Sequence, residues 1–373
     1  MKPKLLISTD GYIPRWDGIT RFLLEVIPRL ERSFEITVLA PDFKGEGSDI
    51  PGVKVVRLPL LPFHMGDIQF SRFRIKTVRE LVLNNDVVFN QSIGSIGIMT
   101  IREAAKYGIP VASFTHSIDW ELAAKSIKRW RKVATFLVKK LAKHLYNKCR
   151  LLMVPGPEIL VMLQNIGVTT RMEKVSLGVD TQRFAPAPDK AAAKKAVGID
   201  PHKNVVGFVG RIAREKNIPT LQQAFDMMRK DNPDTVLLIV GEGLRNEIKE
   251  GEGVIITGMT NDVIPYLQAM DVFVSPSLTE TSSLATMEAM ACGLPVIVTP
   301  VGNIPEYVMH EKNGLFFGRR DVEDLAKKIE FLLQHPDESA KLGAAARRTI
   351  EQNYQWDATA GRITELILEL KRK

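Results

Sequence analysis

Apolar runs alternate with amphipathic stretches along this chain. In the first half the runs are KLLIST, ITVLA, VKVVRL, DVVFN, PVASFTH and LLMVP; in the second they are NVVGFVG, TVLLIVG, GVIITG, DVFVSPS, PVIVTP and GLFF. Continuous apolar strands separated by helices predict parallel sheets covered on both faces. The series stops and restarts at residues 180–203, DTQRFAPAPDKAAAKKAVGIDPHK, which carry three prolines and no apolar periodicity. That stretch reads as a linker. The expected class is therefore α/β, with two doubly wound domains, 1–185 and 186–355, and ligands at the C-terminal ends of the strands. The last segment, YQWDATAGRITELILELKRK, is a helix with apolar positions at Ile363, Leu366, Ile367 and Leu370.

Length and composition narrow this only slightly. A chain of 373 residues predicts two or three domains. A net charge of +8 invites an anionic partner: a nucleotide, an anionic lipid or nucleic acid. Cys149 and Cys292 offer neither a disulfide framework nor a metal cluster, and a reducing, cytosolic setting follows. No apolar run is long enough to span a bilayer. The opening MKPKLLISTDGY reads as a strand, not a leader peptide.

Candidate chemistry concentrates in SLTETSSLATMEAMACGLPVIVTPVGNIPE, from Ser277 to Glu306. Glu280 and Glu288 flank Thr281-Ser282-Ser283 and the start of a helical stretch. A helix N-terminus offers unpaired amides and a partial positive charge, which suits a phosphate. Glu280 precedes the helix. Glu288 lies about 7 Å further along its axis, at roughly 1.5 Å per residue, and leans back toward the N-terminus. Carboxylates do not bind phosphate but accept hydrogen bonds from sugar hydroxyls. Two of them around one anion seat point to a nucleotide sugar; otherwise the pair is a solvated helix face.

The stretch resembles the E-x7-E signature of retaining GT-B glycosyltransferases of glycosyltransferase family 4. The resemblance implies two Rossmann-like domains facing across a deep cleft. The N-terminal one would bind the acceptor, with the helix at 356–373 packing back on it. The C-terminal one would bind the nucleotide-sugar donor, UDP- or GDP-linked. It implies a hexosyltransferase that retains anomeric configuration. Glu280 would hold the donor sugar, Glu288 the ribose, and the amides near Ser282, Ser283 and Leu284 the diphosphate. No convincing D-x-D motif occurs, and no bound metal or other cofactor is expected.

Other strand ends supply further candidates. In VVGFVGRIAREKNI, Arg211 and Lys216 follow a strand end, where two cations suit a diphosphate leaving group better than a core. The alternative is a surface pair with Glu215. The spacing also matches the basic pair of the family. In STDGYIPRWDGITRFL, Asp17-Gly18 precedes a helix starting near Ile19, where a glycine lets backbone approach a ligand. The family usually has two glycines there. His116 ends PVASFTH; a lone histidine is often structural, but the family places one here against the transferred sugar. GEG at 241–243 reads as a simple turn. Gly258 resembles the family position whose backbone meets the base. FNQSIGS at 89–95, Thr281 and Gly302-Asn303 depart from the family pattern.

From Lys125 to Arg150 the chain holds ten Lys or Arg and no acid, with apolar residues at helical spacing. Part of that stripe must pack on a core. The basic face suits an anionic membrane, and lipid-modifying members of the family use such a helix. Lys128, Arg129, Trp130, Arg131, Lys132, Lys139 and Lys140 are the expected contacts. The expectation is a peripheral enzyme at the inner face of the cell membrane, acting on a lipid or lipid-linked acceptor, with no nucleic acid partner. Two alternatives stand beside it. One is a nucleotide-sugar epimerase or hydrolase, which needs cleft acids, for which Asp10, Asp17 and Asp119 are the few candidates. The other is a non-enzymatic membrane-surface protein.

Overall fold

A computed structural model describes every residue except 16, 46, 66, 67, 117, 119, 121–130 and 373, and omits the side chains of 63–65, 68 and 131. The chain divides into two compact units, Met1–Leu177 with Trp356–Lys373, and Gly178–Gln355.

The first unit contains β1 (Lys4–Ser8), α1 (Gly18–Leu30), β2 (Glu35–Pro41), β3 (Lys54–Leu58), β4 (Leu60–Met65), β5 (Ile68–Ser71) and α2 (Ile75–Leu83). It continues with β6 (Val87–Asn90), α3 (Ser95–Tyr107), β7 (Val111–Phe114), α4 (Arg131–Tyr146), β8 (Leu151–Val154), α5 (Pro157–Asn165) and β9 (Met172–Lys174). Seven strands form one parallel sheet in the order β3-β2-β1-β6-β7-β8-β9. Its apolar runs are buried on both faces: Leu5, Leu6, Ile7, Val88 and Phe89 are wholly inaccessible. β4 and β5 form a separate antiparallel pair, which the apolar pattern does not announce.

The second unit repeats the grammar with α6 (Lys190–Ala196), β10 (Asn204–Val209), α7 (Ile218–Met228), β11 (Thr235–Val240), β12 (Val254–Ile256) and α8 (Ile264–Ala269). It closes with β13 (Val272–Ser275), α9 (Leu284–Ala291), β14 (Val296–Val298), β15 (Leu315–Phe316), α10 (Val322–Gln334) and α11 (Pro336–Asn353). Its sheet is parallel in the order β12-β11-β10-β13-β14-β15. In both sheets the order reverses beside the first strand, between β1 and β6 and between β10 and β13. Such a switch point opens a crevice at the strands' C-terminal ends.

The stretch at 180–203 is more than a linker. The Asp180 carboxylate accepts from the amides of Gln182 and Arg183 at 3.0 Å, and Phe184 is buried. Gln268 donates to the Ala185 carbonyl at 3.0 Å, and Lys194 pairs with Asp271 at 2.8 Å. The Asp180 bonds make a local turn, while those of Ala185 and Lys194 tie the segment to the second unit, so the division falls at Leu177, short of 185.

The last helix, α12 (Trp356–Arg372), returns to the first unit. Arg29 Nε pairs with Asp357 at 2.9 Å, Arg362 with Glu173 at 3.0 Å and Arg171 with Glu369 at 2.8 Å. Ile363, Leu366, Ile367 and Leu370 are buried, as their helical spacing predicts.

Candidate functional site

The second unit assembles its candidates at the switch point. The loop after β10 carries Arg211 and Lys216; the loop after β13 carries Ser277 and Glu280. Lys216 Nζ lies 2.5 Å from Glu280 Oε1, and Ser277 Oγ donates to the same oxygen at 2.9 Å. Thr299 Oγ1 in turn donates to the Ser277 carbonyl at 2.5 Å. The loops are stitched together through their backbones. The Leu278 amide donates to the Glu215 carbonyl at 2.7 Å, and Asn217 Nδ2 to the Pro276 carbonyl at 3.1 Å. Arg211 points more into solvent and pairs with Glu215 at 2.6 Å, the surface partner weighed from the sequence.

Below Glu280 the helix α9 begins. Ser283 is its N-cap, and its hydroxyl accepts from the Thr286 amide at 3.3 Å. The amides of Leu284 and Ala285 precede the first intrahelical bond, which the Met287 amide makes to Ser283. The Ser282 hydroxyl is buried and has no hydrogen-bond partner among the described residues. Glu288 sits on α9 at 3% exposure, deeper than a surface acid.

A third loop braces this seat. Gly302 has φ +59, and a Cβ there would lie 2.0 Å from the Glu280 carbonyl oxygen. The Asn303 amide donates to the Thr281 carbonyl at 3.1 Å. Only the first residue of Gly302-Asn303 therefore needs to be glycine. The buried Tyr307 hydroxyl approaches the Ser283 carbonyl at 3.4 Å, and burial, with Glu280 nearby, holds its pKa well above the usual value.

The GEG turn also does more than reverse the chain. The Ile212 amide donates to Glu242 and the Leu244 amide to Ile212, both at 2.8 Å, which extends the β10–β11 pairing past the sheet. Gly258 has φ +75 and open space at its Cβ position.

In the first unit the ends of β1, β6 and β7 carry a buried polar set. Ser8 Oγ donates to Asn90 Oδ1 at 2.9 Å, and Asn90 Nδ2 donates to Ser113 Oγ at 2.9 Å. His116 Nε2 lies 2.9 Å from Gln91 Oε1, and burial pushes the imidazole down to about 3. Its ring stacks on Phe114 at 4.6 Å and meets Phe22 edge-on at 4.7 Å. Gly18 opens α1 and is exposed, and a Cβ added to it would meet nothing within 4 Å.

Two of the three candidate acids of this unit are committed to capping. Asp17 accepts from the Thr20 amide at 2.8 Å. Asp10 accepts from Ser92 Oγ at 2.6 Å, Ser95 Oγ at 3.1 Å, and the Ile96 and Gly97 amides at 2.9 and 3.2 Å. It fills the N-terminus of α3, an anion seat by nature. Asp119 lies outside the described residues.

Of the basic stretch, Lys128, Arg129 and Trp130 lie outside the described residues, and so does the side chain of Arg131. On α4, Ala142, Leu145 and Tyr146 are buried in the core, while Val133, Phe136, Leu137 and Leu141 are 50, 56, 58 and 37% exposed. Lys132 and Lys140 are exposed, and Lys139 Nζ lies 5.7 Å from the centre of the Trp120 ring. Lys140, Lys143, His144, Asn147 and Lys148 line an open depression of the surface. No helix of the described residues is long and apolar enough to cross a membrane.

Asn217, Ser277, Thr299, Tyr307 and Gln91 are absent from the sequence-derived site. Their roles come from contacts across loops, which no local pattern encodes; the position of Gln91, one residue past a strand end, is the one available signal.

Two parallel sheets with this order, and cation and carboxylate joined at a switch point, define a doubly wound α/β protein with a polar crevice where such folds bind ligands. The family profile Glycosyltransferase Family 4 matches residues 16–183, and that of Glycosyl transferases group 1 matches 189–349. The chain is 31% identical to sulfoquinovosyl transferase SQD2 of Arabidopsis thaliana over 97% of its own length and 71% of that protein. It is 28% identical to the GDP-mannose-dependent alpha-(1-6)-phosphatidylinositol monomannoside mannosyltransferase of Mycolicibacterium smegmatis, covering 97% and 98% of the two chains. It is 27% identical to the alpha-monoglucosyldiacylglycerol synthase of Acholeplasma laidlawii, covering 89% and 88%. Sucrose-phosphate synthase from Thermosynechococcus elongatus shares the fold at a TM-score of 0.80 and 19% identity, over 99% of each chain. The chain belongs to the family-4 glycosyltransferases and has the GT-B fold. It is a glycosyltransferase, and neither the epimerase or hydrolase reading nor the non-enzymatic one is supported.

Proposed function

We propose that this enzyme moves a hexose from a UDP- or GDP-linked sugar to a hydroxyl of a membrane lipid or lipid-linked glycan, with retention of configuration. The observation that carries the donor half is the meeting of Lys216 and Glu280 at the N-terminus of α9. In this reading Arg211, Lys216, the buried Ser282 hydroxyl and the amides of Leu284 and Ala285 receive the diphosphate. Glu280 and Glu288 receive hydroxyls of the sugar and the ribose. Gly258 lies beside the base. The bond from the anomeric carbon to the diphosphate breaks with its electron pair on the departing oxygen, which the cations and amides stabilise. The acceptor oxygen bonds to that carbon from the same face, and its proton passes to the departing phosphate. Side chains and amides carry the leaving-group charge in this scheme, without a bound metal.

The lipid half rests on α4 and on the relatives. An exposed apolar strip beside lysines suits an anionic membrane surface, and lipids figure in the names of two relatives. GDP-mannose is the first donor to test, and the inner face of the cell membrane the expected place of work.

The test is release of nucleotide from GDP-mannose, UDP-glucose, UDP-galactose and UDP-N-acetylglucosamine, with and without vesicles containing phosphatidylinositol or diacylglycerol. One donor, turned over faster with vesicles and not by Glu280→Gln, is the expected result. Turnover indifferent to lipid would move the acceptor into solution. No turnover and no binding of any donor would overturn the reading.

A further inference from the structure

We propose that Gln91 is a positioning residue that locks His116 in its Nε2–H tautomer and leaves the Nδ1 lone pair to accept a hydrogen bond from a substrate hydroxyl. The inference rests on the reading of His116 as a substrate contact, and it assigns a role to a residue that the functional reading leaves unused.

The argument starts with the glutamine. Gln91 is 1% exposed, and its backbone amide donates to the Ser8 carbonyl at 2.8 Å. Its side-chain Nε2 donates to the Phe89 carbonyl at 3.3 Å. A carbonyl only accepts, so the reversed amide would set oxygen against oxygen. Gln91 Oε1 therefore faces the imidazole, 2.9 Å from Nε2. An oxygen acceptor there requires the proton on Nε2. Phe114 stacks on the ring and Phe22 meets it edge-on, and both contacts hold it in this orientation. No described residue hydrogen-bonds Nδ1.

The choice of an amide sets the charge as well. Burial alone depresses the imidazole's proton affinity, with no charged group contributing. A carboxylate at position 91 would favour the imidazolium, which has no lone pair. The neutral amide fixes orientation and leaves the ring uncharged, so that it selects a hydroxyl donor and not an anion.

The experiment is nitrogen-15 NMR of the full chain with labelled histidine. His116 is assigned among the six histidines by loss of its signals in His116→Gln. At neutral pH the wild type is expected to show a protonated Nε2 and an unprotonated Nδ1. Gln91→Leu is expected to shift both signals toward a tautomer mixture. Gln91→Glu is expected to keep the Nε2–H form and raise the pH at which the ring protonates. Gln91→Leu should also lower kcat/KM roughly three- to tenfold, the worth of one neutral hydrogen bond. Wild-type protonation at Nδ1, or His116 signals unmoved in folded Gln91→Leu, would overturn the tautomer lock. A lost lock with unchanged kcat/KM would overturn the substrate contact while leaving the glycosyltransferase reading intact. The NMR outcome decides the role of Gln91 whichever donor proves active, and Gln91→Glu decides it if Gln91→Leu does not fold.

Discussion

Lys216 Nζ and Glu280 Oε1 stand 2.5 Å apart across 64 residues of sequence, both largely buried. The cation suited to a diphosphate is thus held by the carboxylate suited to a sugar. Under the proposed function, arrival of the donor would give each a new partner: phosphate oxygens in place of the carboxylate on Lys216, and sugar hydroxyls in place of the ammonium on Glu280. The two residues therefore act as a unit. Lys216→Ala and Glu280→Gln are each expected to lower kcat/KM on the order of 100- to 1,000-fold, as loss of an electrostatic stabiliser does elsewhere. The double variant is expected to lose far less than the product of the two. Steady-state kinetics of the four proteins check this; multiplicative losses would show the pair uncoupled.

Two glycines give opposite expectations. Gly302 has φ +59 and backs onto the Glu280 carbonyl, so Gly302→Ala meets both strain and collision. It is expected to destabilise the fold by about 1–3 kcal/mol and to weaken donor binding, because the loop it displaces carries Glu280. Gly18 opens a helix with free space around it, and Gly18→Ala is expected to hold or raise the melting temperature. Thermal melts of both variants, with donor titration of the first, provide the check. Equal melting temperatures would refute the bracing role of Gly302.

These contrasts mark what the sequence could disclose. Twelve of the thirteen strands of the two sheets stand out as apolar runs, while the short, half-buried β9 does not. β4 and β5 do not, since LLPFHM carries a proline and a histidine. Arg211, Lys216, Glu280 and Ser283 are legible because strand ends and helix starts have local signatures. In the sequence Asp10 is a candidate cleft acid, and its use as a cap for α3 depends on Ser92, Ser95, Ile96 and Gly97, 82 to 87 residues away. Tyr307 and Gly302 brace the site from a loop whose relation to Glu280 exists only in three dimensions. The division between units falls earlier than the pattern suggests for a similar reason: Ala185 and Lys194 look like linker residues until Gln268 and Asp271 are known as their partners.

The strip on α4 makes a prediction separable from chemistry. Phe136 and Leu137 are more than half exposed, so Phe136→Glu and Leu137→Glu remove no core contact. Each is expected to reduce binding to anionic vesicles at least fivefold, and Lys140→Ala by about fivefold, near 1 kcal/mol for one cation at the surface. Nucleotide release without vesicles is expected to stay at the wild-type level, as is the melting temperature. Vesicle co-sedimentation at low and high salt reads the effect, with high salt expected to erase the lysine contribution first. Unchanged sedimentation of all three variants would remove α4 from the membrane contact.

His116 makes a pH prediction whose sign is fixed by its surroundings. Burial lowers its pKa from about 6.5 in the unfolded chain to about 3 in the folded protein. The unfolded state therefore takes up the proton first. The contribution of the neutral ring is fully present above pH about 6.5 and declines as the pH falls toward 3. The limiting slope for one group is about 1.4 kcal/mol per pH unit, and partial exposure of the ring makes the observed slope smaller. A His116→Gln variant lacks the titration, so its stability should fall less steeply than that of the wild type between pH 6.5 and 4.5. Urea unfolding at several pH values measures the difference, and parallel curves would show that folding does not lower the proton affinity of the imidazole.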